Sequence, residues 1–357
     1  MEAVLALADG TVVRGKGFGV EKEVAAELVF NTSMTGYEEA LTDPSYKGQV
    51  LLWTYPLCGN YGVRDVSFES DKIQVEGFAV REVCKHPSHH KNKKDLSTFL
   101  EEHDTPGIEG IDTRALTKKI REYGVMNCSL IVSSEKIDEN YALELAKKHA
   151  DISDINLLPK VGVKKPKRYD VGGDLHVVAV DCGIKLSILR SLLKRNVNVT
   201  LVPYFSKSRE ILELEPDGLL ISNGPGDPIH AKEAIEVVRE LKGKVPMMNI
   251  CLGHQITGLA FGGRTYKLKY GHRGSNQPVK DLRNGKVYIT SQNHGFAVDA
   301  SSLKEGLRVS QINLNDNTVE GLVHEEYSII TAQYHPEANP GPLDTRFLFD
   351  EFVELMR

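Results

Sequence analysis

The chain has 357 residues, 41% of them hydrophobic and 26% charged, with a formal net charge of −5 at pH 7. That length buries an ample core over two or three domains without metal or disulfide staples. The acidic balance lacks the basic face that nucleic acid requires, and no apolar run of about eighteen residues is present to span a membrane.

The opening MEAVLALADG holds acidic residues and ends in glycine, so it does not read as a secretory signal. The cysteines Cys58, Cys84, Cys128, Cys182 and Cys251 are odd in number and form no CxxC pair. A disulfide framework or zinc finger is therefore not expected, and a reducing cytoplasm fits.

In chain order, AVLALADG and TVVRGKGFG predict a hairpin turning at Asp9-Gly10. A strand in AELVF leads to a polar loop and a turn at Asp43-Pro44, and QVLLW predicts a further strand. KIQVEGFAVREV alternates like a half-buried strand. Two helices follow, DLSTFLEEH capped by Asp95 and DTRALTKKIREYG closed by Gly124. The basic stretch VCKHPSHHKNKK offers Cys84, His86, His89 and His90 as metal ligands. It has no ordered ligand spacing, and a solvated loop is the better reading.

Residues 1–150 thus read as a mixed α/β domain, and residues 151–174, rich in proline, glycine and lysine, as a linker. Residues 175–357 change rhythm to strand, turn, helix: LHVVAVDCG, IKLSILRSLLKRN, NVTLVPY, SREILELEP, DGLLISNGPGDP, AKEAIEVVRELKG and VPMMNI. That alternation predicts a mostly parallel sheet flanked by helices, with the working crevice at the carboxyl ends of its strands. Strands in hairpin style follow, RTYKLKYG, KVYITSQN, LRVSQIN and YSIITAQY, before a last helix, TRFLFDEFVELM.

The chemistry collects around VPMMNICLGHQITGLAFGG, residues 245–263. A strand to Ile250, then Cys251, then a helix from Leu252 places a thiol on a sharp strand-to-helix turn. The helix start favours thiolate over thiol, and the free Leu252 N–H can meet a developing oxyanion. In Gln333-Tyr334-His335-Pro336-Glu337, an extended backbone would set His335 and Glu337 on one face, the base-and-orienter pair of a triad. The NGPGDP loop, residues 223–228, is not a phosphate loop, since no G-x-x-x-x-G-K-[ST] occurs. Its glycines let backbone groups approach a small polar substrate.

Together I-C-L-G-H-Q, N-G-P-G-D-P and Q-Y-H-P-E resemble the class I (triad) glutamine amidotransferases. FNTSMTGYEEALTDPSYKGQ, GIDTRALTKKIREYG and TSQNHGFAVD narrow the resemblance to the glutaminase (small) subunit of carbamoyl-phosphate synthetase, over essentially the whole chain. The resemblance implies Cys251 as nucleophile, His335 as general base and acid, and Glu337 as its orienting partner. It implies oxyanion donors at Leu252 and Gly224, and a glutamine pocket of Gln255, Gly226, Asn293, Gly295 and Phe296, completed by Ser45. It implies no metal and no cofactor in this chain, ATP with magnesium being expected in a partner large subunit. That partner would take the ammonia and make carbamoyl phosphate for pyrimidine synthesis, arginine synthesis or both. Membrane and nucleic acid are not expected as partners. Two other readings stand beside it: an amidotransferase subunit for another acceptor, and a non-catalytic regulatory module. One position departs from the pattern, because Asn249 stands where the elbow usually has glycine, which predicts crowding at the turn.

Overall fold

The computed structural model describes residues 1–64 and 67–357. The chain divides into two compact units, Met1–Ile155 and Asn156–Arg357.

In the first unit, Asp9 shapes the opening turn, its Oδ1 accepting the Thr11 N–H at 2.9 Å. This joins β1 (Glu2–Leu7) to β2 (Val12–Gly19) as an antiparallel pair. There follow β3 (Lys22–Asn31), α1 (Tyr37–Thr42), β4 (Gln49–Trp53), β5 (Leu57–Cys58), β6 (Gly77–Ala79) and β7 (Glu82–Val83). Next come α2 (Leu96–Glu102), β8 (Pro106–Glu109), α3 (Thr113–Tyr123), β9 (Met126–Ser133) and α4 (Glu139–Lys148). The caps are local and strong: Asp95 accepts from the Thr98 N–H, Asp112 from the Ala115 N–H, and Gly124 ends α3 at φ +99°.

The expected mixed α/β domain takes a particular form, a closed barrel in the order β1-β2-β8-β6-β4-β3-β9. Closure removes exposed edges, and Val29, Leu51, Trp53 and Phe78 join Phe99 and Leu100 of α2 in one core. The alternating stretch at residues 72–83 is not one strand. It breaks into the short β6 and β7, because only Gly77–Ala79 runs alongside β4 and β8.

The second unit opens within the stretch read as linker, which holds 3-10 turns at Ile152–Asp154 and Leu158–Lys160 and a strand, β10 (Lys167–Tyr169). Leu157 and Leu158 are buried there, and β10 pairs with a strand of the large sheet. Then come β11 (Leu175–Asp181), α5 (Leu186–Leu193), β12 (Val197–Pro203), α6 (Ser208–Leu212), β13 (Gly218–Ile221), α7 (Lys232–Leu241), β14 (Met247–Ile250) and α8 (Leu252–Ala260). The remainder is β15 (Thr265–Asp281), β16 (Val287–Val298), β17 (Arg308–Asn313), β18 (Val319–His324), β19 (Ile329–Ala332) and α9 (Phe347–Leu355).

The sheet order is β10-β12-β11-β13-β14-β19-β18-β17-β15-β16, with β12, β11, β13, β14 and β19 parallel to one another and the flanking pairings antiparallel. Both faces are covered, as a parallel sheet requires. Val178 and Val180 pack with Ile235 and Val238 of α7 and Ile256 of α8. Val177 and Ala179 turn to the other face, against Ile188 and Leu192 of α5 and Phe349 and Phe352 of α9. Among the described residues no helix is long and apolar enough to cross a membrane.

Phe352 is fully buried in this second face. Truncation by F352A is expected to lower the stability of the unit by about 3–5 kcal/mol, through lost burial and the cavity left behind. Thermal or denaturant unfolding checks this, and a change below about 1 kcal/mol would contradict the packing of α9.

Candidate active site

Four of the parallel strands end at the same edge, and each delivers one loop: Cys182–Lys185 after β11, Ser222–Gly226 after β13, Cys251 after β14, and Gln333–Glu337 after β19. The first two loops are pinned by side chains at their bases. Asp181 accepts the N–H groups of Gly183 and Ile184, both at 2.8 Å, and Asn223 Oδ1 accepts the Lys185 N–H at 3.0 Å.

Cys251 caps α8 with φ +54° and ψ −101°, a backbone conformation that non-glycine residues occupy at a cost of about 1–3 kcal/mol. The fold holds it there. Its N–H donates to the Ala332 carbonyl at 2.7 Å, and two residues on the Gly253 N–H donates to Ser222 O at 3.1 Å. Any side chain at position 253 would place its Cβ 2.2 Å from the Ile221 carbonyl oxygen, so only glycine lets the helix start this close to β13.

The crowding expected from Asn249 does not arise. Its side chain is fully buried and lies away from the turn. Oδ1 accepts the Ile221 N–H at 2.9 Å, and Nδ2 donates to Thr257 Oγ1 at 2.8 Å. The asparagine ties β13 and α8 to β14, and the sharp turn forms beyond it.

His335 and Glu337 meet, although not by the route the extended reading supplied. Strand β19 ends at Ala332, and His335 opens a turn in which the Ala338 N–H donates to its carbonyl. The turn curls Glu337 back so that its Oε1 lies 2.7 Å from His335 Nδ1. A third group, absent from the sequence reading, completes the cluster: Lys185 Nζ stands 2.9 Å from the same oxygen, and both side chains are buried. Lys185 sits at the carboxyl end of β11, the edge where the sheet's rule places working residues. In the sequence it looks like the first turn of a helix, which begins only at Leu186.

These contacts set the protonation states. Burial alone would push the Glu337 carboxyl up, but Lys185 and His335 together hold it well below the usual carboxylate range. Burial would strip His335 of its proton. The Glu337 carboxylate outweighs that and raises the imidazole's proton affinity, Lys185 opposes it, and the adjacent Cys251 thiol adds to it. Cys251 Sγ is directed at the Asn293 carbonyl, 3.6 Å away. His335 Nε2 is buried, with the Cys251 thiol among the groups acting on its ring.

The structure gathers further residues of the expected pocket in this unit. Gln255 donates its amide to the Phe296 carbonyl at 2.8 Å and to Gln333 Oε1 at 3.0 Å, joining α8, β16 and the loop after β19. Asn293, Gly295 and Phe296 lie along β16. Gly224 approaches the Cys182 carbonyl so closely that an added Cβ would stand 2.3 Å from it, with Leu252 beside it. Gly226 turns the same loop at φ +82°. The Leu252 N–H heads α8, where backbone donors have no acceptor within the helix. Ser45 belongs to the first unit, in the 3-10 turn Pro44–Tyr46, where its N–H donates to Asp43 Oδ1 at 2.9 Å.

His254, three residues beyond the cysteine, is a core histidine. It is bonded through Nδ1 to Thr331 Oγ1 at 2.7 Å and held neutral by burial. Among the described residues, the loop of Cys84, His86, His89 and His90 forms no group close enough to share a metal. His272, His294 and Glu320 do stand close together.

Residues 178–355 match the glutamine amidotransferase class-I family. With the strained cysteine and the His–Glu pair at one sheet edge, the second unit is a class-I glutamine amidotransferase domain. Residues 5–130 match the carbamoyl-phosphate synthase small chain, CPSase domain. The carbamoyl phosphate synthase small chain of Archaeoglobus fulgidus is 56% identical over 100% of this chain and 99% of its own length. That of Methanocaldococcus jannaschii is 57% identical over 99% of each. The chain belongs to the carbamoyl phosphate synthase small chain family.

The two hydrogen bonds of Asn249 give a prediction. N249G leaves the Ile221 N–H and the Thr257 hydroxyl without these partners in a dry interior, and should cost on the order of 2–4 kcal/mol. Denaturant unfolding measures it. Unchanged stability would show that the turn does not depend on the asparagine.

Proposed function

We propose that this chain hydrolyses glutamine and passes the ammonia to a large synthetase chain. The observation that carries the reading is the convergence at one sheet edge of a strained cysteine with an imidazole whose far nitrogen is held by a buried carboxylate. Full-length similarity to chains named carbamoyl phosphate synthase small chain supports the same assignment.

In this reading Cys251 gives its proton to His335 Nε2 before the sulfur attacks the side-chain carbonyl carbon of glutamine. The carbonyl oxygen becomes an oxyanion facing the N–H groups of Leu252 and Gly224. His335 then gives its proton to the departing nitrogen, leaving a glutamyl thioester and free ammonia. A water molecule, deprotonated by the same imidazole, attacks the thioester, and glutamate leaves as the thiol re-forms. Glu337 keeps the Nδ1 proton in place and stabilises the imidazolium between the two transfers. Gln255, Gly226, Asn293, Gly295 and Phe296 are the residues of this unit assigned to hold glutamine. ATP and magnesium belong to the partner chain, where ammonia and bicarbonate become carbamoyl phosphate.

The C251S variant tests this directly in the complex with the large chain. Glutamine hydrolysis should fall by a factor of about 10³ or more, while synthesis driven by added ammonia persists. Loss of both activities would assign Cys251 a structural role, and retained glutaminase would remove it from the chemistry.

A further inference from the structure

Behind the strand that carries Asn293, Gly295 and Phe296 lies a buried charged cluster that the reaction above does not use. His272 on β15 is paired in register with His294 on β16, and the next pair is Arg273 with Asn293. His272 Nε2 stands 2.8 Å from Asp316 Oδ2, and its Nδ1 lies 3.6 Å from Glu320 Oε1. Glu320 is fully buried on β18, and Asn313 Nδ2 donates to its Oε1 at 3.2 Å. His294 packs edge-on against the His272 ring with centroids 4.9 Å apart. Its Nδ1 lies 2.8 Å from the Phe296 carbonyl oxygen and its Nε2 2.9 Å from Gln292 Oε1, and one of the two donates.

We propose that His272, clamped as an imidazolium between Asp316 and Glu320, is a positioning residue for the substrate strand, fixing through His294 the backbone that presents Asn293, Gly295 and Phe296. A buried carboxylate such as Glu320 requires a counter-charge, and β15 is the strand that both supplies it and pairs with β16. A proton on His272 supplies it, with Asp316 at Nε2 and Glu320 on the Nδ1 side. Burial pushes the Glu320 carboxyl up and His272 opposes it, while His272 helps to hold Asp316 low. Burial works against charge on His272, but Asp316 and Glu320 raise its pKa to about 9. Burial and the neighbouring His272 charge keep His294 neutral. The charged form is therefore present at neutral pH and is lost as pH rises through about 9.

The inference rests on the glutaminase reading, and its test separates the two. In the full-length chain, H272Q should raise KM for glutamine about tenfold or more while kcat stays within about threefold. The double variant H272Q/E320Q, which removes the stranded carboxylate along with its counter-charge, should recover much of the lost KM. The KM gap between wild type and H272Q should narrow as pH passes about 9. Unchanged KM in H272Q, or strictly additive effects in the double variant, would overturn the inference while leaving the glutaminase reading intact. A stoichiometric metal in the purified protein, whose chelation raises KM, would overturn the proton as the ion at this site. A wild-type chain that does not hydrolyse glutamine, alone or with its large partner, would instead defeat the functional reading.

Discussion

A single carboxylate oxygen organises the second unit's working edge. Glu337 Oε1 receives both His335 Nδ1 and Lys185 Nζ, in a place where all three side chains are buried. Taking such charges out of water costs several kcal/mol per ion, and the cost is offset only when partners are held in close geometry. The arrangement therefore depends on loops that cannot drift. Those loops follow two strands that are not neighbours in the sheet, β11 and β19.

The parallel sheet supplies that rigidity. Its strands are buried on both faces by helices, and their carboxyl ends place Lys185, the Ser222–Gly226 loop, Cys251 and the His335–Glu337 turn along one edge. Polar side chains inside the sheet finish the task. Asp181 and Asn223 fix the loop that carries Lys185, while Asn249 ties β13 and α8 together beneath Cys251. The strain stored in the cysteine's backbone is sustained by these bonds and by a glycine that allows helix and strand to touch.

Much of this was legible in the sequence where the signal is local. The apolar run ending at Ile250 and the helix Leu252–Ala260 were readable because a continuous strand and a glycine-bearing helix abut there. The capping Asp95 gave α2 and the closing Gly124 gave α3 for the same reason. What could not be read depends on partners distant in sequence. The closed barrel of the first unit joins β1 to β9 and β3 to β9 across about a hundred residues or more, and no periodicity announces that. Lys185 was hidden because a lysine before a helix usually faces water, and only the sheet's order reveals what it faces. His335 and Glu337 were paired correctly from the wrong geometry, since a turn brings them together where an extended strand was expected. His272 and Glu320 carry no motif at all. Their meaning comes from register between β15 and β16 and from the return of β18.

The central claim is that a buried carboxylate keeps the imidazole beside Cys251 protonated on its far nitrogen. Nitrogen-15 NMR of the imidazole ring in the full-length chain, assigned to His335 by its loss in H335N, tests it most directly. The account predicts a strongly downfield Nδ1 proton and a ring that stays protonated well above the ordinary histidine value of about 6.5. A ring that titrates near that value, with no downfield proton, would contradict it.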